Sequence, residues 1–161
     1  MNFASSMFNF SNTLILPFWL FLIFLPRSNI TRRIFANPNF SPMQLLALLY
    51  AAMVVPALIS NPEILTSLAR PTLEGIQSMM SSPEGAAAGW IHYLCFDLFV
   101  GVTVWKKAIN RNQSFIWVSI VLLLVLMFGP LGWLIHELAS IQRKANPTSS
   151  SEATSQLDVT K

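Results

Sequence analysis

A single cysteine, Cys95, cannot close an intramolecular disulfide, and with only two histidines the chain offers no metal-ligand spacing of a known type. Charge is scarce as well. Asp, Glu, Lys and Arg make up 11% of the 161 residues, where a soluble domain carries about 25%. Glycine-rich phosphate loops and a Ser/His/Asp order are missing, so no cofactor is expected. The Lys and Arg residues form no stripe interleaved with aromatics, which removes nucleic acid as a partner. The stretch Met1 to Ser11 holds no Lys or Arg, and the apolar block after it ends at Pro26-Arg27 without a small-residue cleavage site. A cleaved signal peptide is therefore not expected, nor is a transit peptide. For a protein of a photosynthetic membrane, this favours a bacterial (cyanobacterial-like) inner or thylakoid membrane, or a plastid-encoded product.

What the chain does have is long apolar runs. Hydrophobic residues are 53% of the total, and they are gathered into four blocks with the charges between or beyond them. That is the distribution a bilayer selects, since roughly 20 helical residues cross a hydrocarbon core of about 30 Å. The blocks fall at about 8–26, 43–60, 88–105 and 115–136. Pro17 is expected to kink the first, and Pro56 to break the second near its end. Trp90, Trp105, Trp117 and Trp133 lie near block ends, as an interfacial aromatic belt requires. The sequence thus predicts an all-α, polytopic membrane protein. Residues 1–145 would form a four-transmembrane-helix bundle with both termini on one side, and 146–161 a disordered polar tail. A short interfacial helix is expected around Ile64 to Met80.

Arg27, Arg32 and Arg33 follow the first block, and Lys106, Lys107 and Arg111 follow the third. The loop from Ser60 to Ala87 has only Arg70. This asymmetry puts the first and third loops in the cytoplasm or stroma, and both termini opposite. Arg143 and Lys144, after the fourth block, count against that orientation.

The third block carries the candidate chemistry. Asp97 lies near its middle, where an ionised carboxylate costs roughly 2.5–3.5 kcal/mol on insertion scales and needs polar company. At about 100° per residue, Gly89, Tyr93, Asp97 and Gly101 drift slowly along one side, so Tyr93 stands beside Asp97. His92 is turned about 140° away from Asp97, which disfavours an intrahelical dyad. Asp97 then has two readings. It is a hydrogen-bonded packing residue between helices, or it faces an interior cavity and handles a proton or a polar group of an apolar ligand. His92 reads equally as a catalytic group or as an imidazole at the headgroups. Gly129, Gly132 and His136 share a face beside Pro130 and read as a kinked packing seam, with His136 and Glu137 meeting headgroups.

The runs Leu16-Pro17-Phe18-Trp19, Pro26-Arg27, Thr31-Arg32-Arg33 and Leu48-Leu49-Tyr50 occur in order. After them come Gly89-Trp90-Ile91-His92-Tyr93-Leu94, Phe96-Asp97-Leu98-Phe99-Val100-Gly101 and Phe128-Gly129-Pro130-Leu131-Gly132. From Phe8 to Leu138 this pattern resembles the abscisic-acid-deficient-four-like family of small membrane proteins of plants, algae and bacteria. In plants that family is required to make neoxanthin from violaxanthin, so the resemblance implies a carotenoid or similar apolar isoprenoid as partner. It implies an intramolecular isomerisation in which an acid protonates an epoxide oxygen and a base takes a proton from the polyene carbon. Asp97, His92 and Tyr93 are the candidate catalytic residues for that chemistry. The competing expectation is a non-catalytic scaffold or pigment-binding assembly protein. A small transporter or proton channel ranks third. Membrane lipid is a partner in every case, and the small volume that four helices enclose makes a homodimer plausible.

Overall fold

The computed structural model describes residues 2–37 and 41–145, and the predicted tail at 146–161 lies outside them. The described residues are all-helical. In order come α1 (Phe3–Phe24), α2 (Asn29–Phe35), α3 (Pro42–Ser60) and α4 (Glu63–Ala69). They are followed by α5 (Leu73–Ser81), α6 (Pro83–Asn110), α7 (Phe115–Phe128) and α8 (Pro130–Ala145). Helix starts are written locally. Ser28, Thr72, Ser82 and Ser114 each accept a backbone N–H of the following first turn, and Ser41 with Gln44 forms a reciprocal capping box. Pro17 and Pro56 sit inside α1 and α3, both of which continue past them. The loop expected to hold one short helix holds two, α4 and α5, split at Arg70-Pro71.

Among the described residues, three helices, α1, α3 and α6, are long and apolar enough to cross a membrane by length and composition. Their surfaces agree with that role. Leu48 is 67% exposed and Ile59 75%, and Phe96, Phe99, Ile116 and Met127 are exposed as well. In water such a surface would aggregate, whereas acyl chains cover it at no cost.

α6 is the axis of the bundle. α1 runs parallel to it, because Trp90 Nε1 donates to Asn12 Oδ1 at 3.0 Å near one end and Trp105 Nε1 donates to Pro26 O at 2.7 Å near the other. α3 runs antiparallel, with Cys95 Sγ against Met43 O at 3.6 Å and the Tyr50 ring beside His92. α7 turns back along α6 through a four-residue link in which Asn112 takes φ 49°, a left-handed conformation asparagine tolerates. Ser119 Oγ ties α7 to α1 through Ile23 O at 2.6 Å.

The fourth expected crossing, 115–136, does not run through as one helix. α7 ends after 14 residues, and Gly129, at φ 22°, breaks the chain. From there α8 returns the way α7 came. Two contacts with α6 establish its direction: Gly129 lies against the Asp97 carboxylate, and Glu137 Oε1 pairs with Lys107 Nζ at 2.6 Å. Asp97 to Lys107 covers about 15 Å of α6, and Gly129 to Glu137 about 12 Å of α8 in the same sense. α7 and α8 are therefore an antiparallel hairpin whose tip reaches only the middle of α6. Hydropathy could not show this reversal, since an apolar block has the same composition whether it continues or folds back. The hairpin closes tightly at Gly132, where any side chain would meet the backbone of Leu124 and Val125.

The reversal also sets the ends of the described helices apart from a four-crossing layout, in which both termini share a side. α1 starts at the Glu84 end of α6, with Ala4 packed near Ala87, and α8 finishes at the Lys107 end. Arg143 and Lys144, awkward for a four-crossing layout, thereby follow α8 toward the end that carries Arg27, Lys106, Lys107 and Arg111.

Candidate functional site

The amino-terminal half of α6 faces α3 on one side and receives α5 across its first turns. Between them, roofed by α4, is a cavity of about 730 Å³, within the range of roughly 300–1,000 Å³ typical of small-molecule sites. Its walls are apolar: Met53, Val54, Ala57 and Leu58 from α3, Ile64 and Leu68 from α4, Met79 and Met80 from α5. Methionines suit such a wall because their unbranched side chains adapt to an irregular guest. Polar groups are few and segregated. Asn61, Ser82 and Glu84 lie where α3 ends and α6 begins, and Tyr50 of α3 with His92 and Tyr93 of α6 lie deeper.

The deep group is aromatic. The His92 ring is 5.4 Å from Tyr50, 6.5 Å from Tyr93 in an edge-on arrangement, and 4.6 Å from Phe96, centroid to centroid. These spacings are those of attractive ring pairs. Tyr93 is 59% exposed, His92 is also exposed, and both line the cavity.

Of the three residues singled out in the sequence, His92 and Tyr93 therefore come together at the cavity. Asp97 does not join them. One helical turn beyond Tyr93, its carboxylate rests against Gly129 at the tip of the α7–α8 hairpin, where the helix break frees backbone groups of both helices. Sequence reasoning missed Tyr50, Asn61 and Glu84 as cavity residues. Tyr50 was visible only within the family pattern, and the other two read as ordinary loop residues until the register of α3 on α6 is known.

His136 departs from its expected place at the headgroups. It is 1% exposed, turned inward with Ser140 (6%), while Leu131, Leu134, Leu138 and Ile141 of the same helix face outward. Burial pushes its imidazole below the ordinary histidine value, against an opposing pull from the Glu137 carboxylate. Glu137 itself is held below the usual carboxylate range, first by the hydrogen bond from Lys107. Among the described residues, no group of three or more His, Cys, Asp or Glu could hold a metal ion.

A family model described as ABA DEFICIENT 4-like matches residues 6–136. The chain belongs to this family. Among curated proteins, the chloroplastic Protein ABA DEFICIENT 4 of Arabidopsis thaliana is 31% identical over 139 residues, which cover 83% of this chain and 60% of that protein. This family member thus spans about 60% of the length of its plant relative. No solved structure matches. The matched segment runs from the first turn of α1 to His136, so it contains the cavity, Asp97 and the hairpin tip.

Proposed function

We propose that this protein is embedded in a photosynthetic membrane and receives the end of a carotenoid or similar apolar isoprenoid in the cavity between α3, α5 and α6, where it acts on that end group. The observation that supports this reading is the cavity itself: apolar, methionine-walled and aromatic at depth, with His92 and Tyr93 as its inner polar groups. Membership of a family whose plant relatives serve neoxanthin formation supplies the ligand class. For a xanthophyll epoxide the reaction is an internal rearrangement. His92 takes the proton from the polyene carbon, a phenol of Tyr93 gives one to the epoxide oxygen, and the C–O bond opens as the allene forms, with no net change in atoms.

In this reading α1, α3 and α6 cross the bilayer, and the α7–α8 hairpin enters from the basic end without crossing. The basic end faces the cytoplasm or stroma, as the Lys/Arg excess there requires, and the cavity opens at the other face.

The test is reconstitution with violaxanthin and other carotenoids, read by pigment retention on purification and by chromatography of products. Wild-type protein retains pigment and converts an epoxide. His92→Gln retains it and converts none, while Gly89→Leu, which fills the cavity wall beside Met80, retains little. Conversion that survives His92→Gln would remove His92 from the chemistry. Pigment retention that survives Gly89→Leu, Tyr50→Ala and Tyr93→Ala together would place the ligand elsewhere. Conversion lost with retention intact only in Asp97→Asn would return the chemistry to the hairpin tip.

A further inference from the structure

At the far end of α6 from the cavity, about 35 Å away along the helix from Glu84 to Lys107, is a second polar assembly that the proposed function does not use. His136 and Ser140 lie one turn apart on the inward face of α8, and Gln113, in the α6–α7 link, is 4% exposed. The Lys107–Glu137 pair puts Glu137 level with Lys107, so Ser140, about 4.5 Å further along α8, comes level with the end of α6. Gln113 is folded onto that same end, its N–H bonded to Ala108 O at 3.0 Å and its carbonyl accepting from Arg27 at 2.7 Å.

Among the described residues, His136 Nε2, Ser140 Oγ and Gln113 Oε1 have no hydrogen-bond partner. His136 Nδ1 lies 3.5 Å from Glu137 Oε1, too long for a full hydrogen bond. Leaving such groups buried and unpaired is costly, and native proteins fill such places with ordered water. The chemistry of the set selects the occupant. An imidazole N–H donates, a hydroxyl does both, and an amide oxygen accepts, which matches a molecule that both donates and accepts. An anion would be repelled by the Gln113 oxygen, and an apolar guest would leave all three unsatisfied. Glu137, whose side chain is 25% exposed, connects this interior to solvent.

We propose that His136, Ser140 and Gln113 enclose an internal water site through which His136 exchanges protons with the solvent at the basic end, with Glu137 as the doorway. A proton reaching the Glu137 carboxylate passes to His136 Nδ1, the imidazolium exchanges its Nε2 proton for one from the internal water, and the Nδ1 proton returns through Glu137 to solvent, so the neutral ring and the water end as they began. The charged groups facing the imidazole are Glu137, Lys107 and Arg111, two cations against one carboxylate, so the imidazolium is transient and the neutral ring is the resting state.

The chain has only two histidines, so the full-length protein labelled with nitrogen-15 histidine and placed in phosphatidylglycerol nanodiscs reports on His136 directly, with His92 as internal control. A water cross-peak at the His136 N–H is expected in the wild type. Glu137→Gln, which keeps a polar side chain but does not take up and release a proton, should slow exchange of that N–H by about tenfold, equivalent to about 1.4 kcal/mol on the barrier. Ser140→Ala should weaken the water cross-peak with the His92 signals unmoved. A wild-type His136 without a water cross-peak overturns the proposal, as does wild-type exchange in Glu137→Gln. Should Glu137→Gln fail to fold, as judged by the His92 signals, an undiminished cross-peak in Ser140→Ala overturns it instead.

Discussion

The cavity region built by α3, α5 and α6 and the hairpin built by α7 and α8 meet on one helix and solve opposite problems. Around the cavity, the walls are mainly apolar and the lining residues His92 and Tyr93 are exposed. In the hairpin the arrangement is inverted, with His136 and Ser140 buried and Leu131, Leu134, Leu138 and Ile141 outward. A cavity for an apolar guest needs empty volume, and that volume forgoes packing contacts. A hairpin whose tip is buried beside the middle of α6 must instead satisfy its broken backbone internally, and it packs closely to do so. α6 serves both, presenting His92 to one side and Asp97 to the other because the two are about 140° apart.

If that contrast is right, substitutions in the hairpin should act on stability and those at the cavity on ligand. The largest effect is expected at the hairpin tip. Gly129→Leu forces a side chain onto a positive φ and against the Asp97 carboxylate, which should destabilise by about 3 kcal/mol or more. The measurement is thermal unfolding in detergent or nanodiscs, and an unchanged transition would mean that the hairpin tip is not packed as described. Gly101→Leu belongs to the same class, since a Cβ there would stand 2.6 Å from Trp19 Cη2 between α1 and α6.

Next comes the cavity. Tyr93→Ala removes an exposed aromatic surface, so unfolding should hardly move, while affinity for a carotenoid should fall about tenfold, the worth of one good aromatic contact. A binding titration by absorbance checks this, and equal losses of stability and affinity would erase the distinction between the two regions. Asp97→Asn sharpens it from the other side. As a group of the hairpin tip, it should shift unfolding by about 1 kcal/mol and leave ligand affinity at the wild-type level.

The Lys107–Glu137 pair is a smaller matter. With the two side chains 40% and 25% exposed, its net worth after screening is about 0.5–1 kcal/mol, and Lys107→Met should cost that much, less in high salt. The smallest effect is on pH. His136 has its folded value lowered by burial, so the unfolded chain binds the extra proton. Its contribution is full above the unfolded value of 6.5 and is lost as pH falls below it. Glu137, lowered mainly by Lys107, adds a loss in the same direction as pH falls below its unfolded value of 4.5. Stability should therefore decline from neutral pH downward, and His136→Leu should flatten the upper part of that decline.

Much of this architecture is legible in the chain. Apolar runs of adequate length mark α1, α3 and α6. Asp97 could be selected as a candidate because a charged side chain within an apolar run is expensive without a purpose, and His92 and Tyr93 through the family pattern around it. The neighbours of Asp97 could not be read, since a helical wheel gives a direction and not what lies in that direction.

Composition and periodicity alone therefore determine that this is an all-helical protein with membrane-length apolar segments, because each helix satisfies its own backbone and that requirement is local. Only the tertiary structure decides that the last apolar block folds back at Gly129, that His136 is buried, and that Tyr50, Glu84 and Asn61 join His92 and Tyr93 around one space. Those facts depend on which side chains from distant segments meet at the same height along α6, and that register arises from packing between helices, which no single segment encodes.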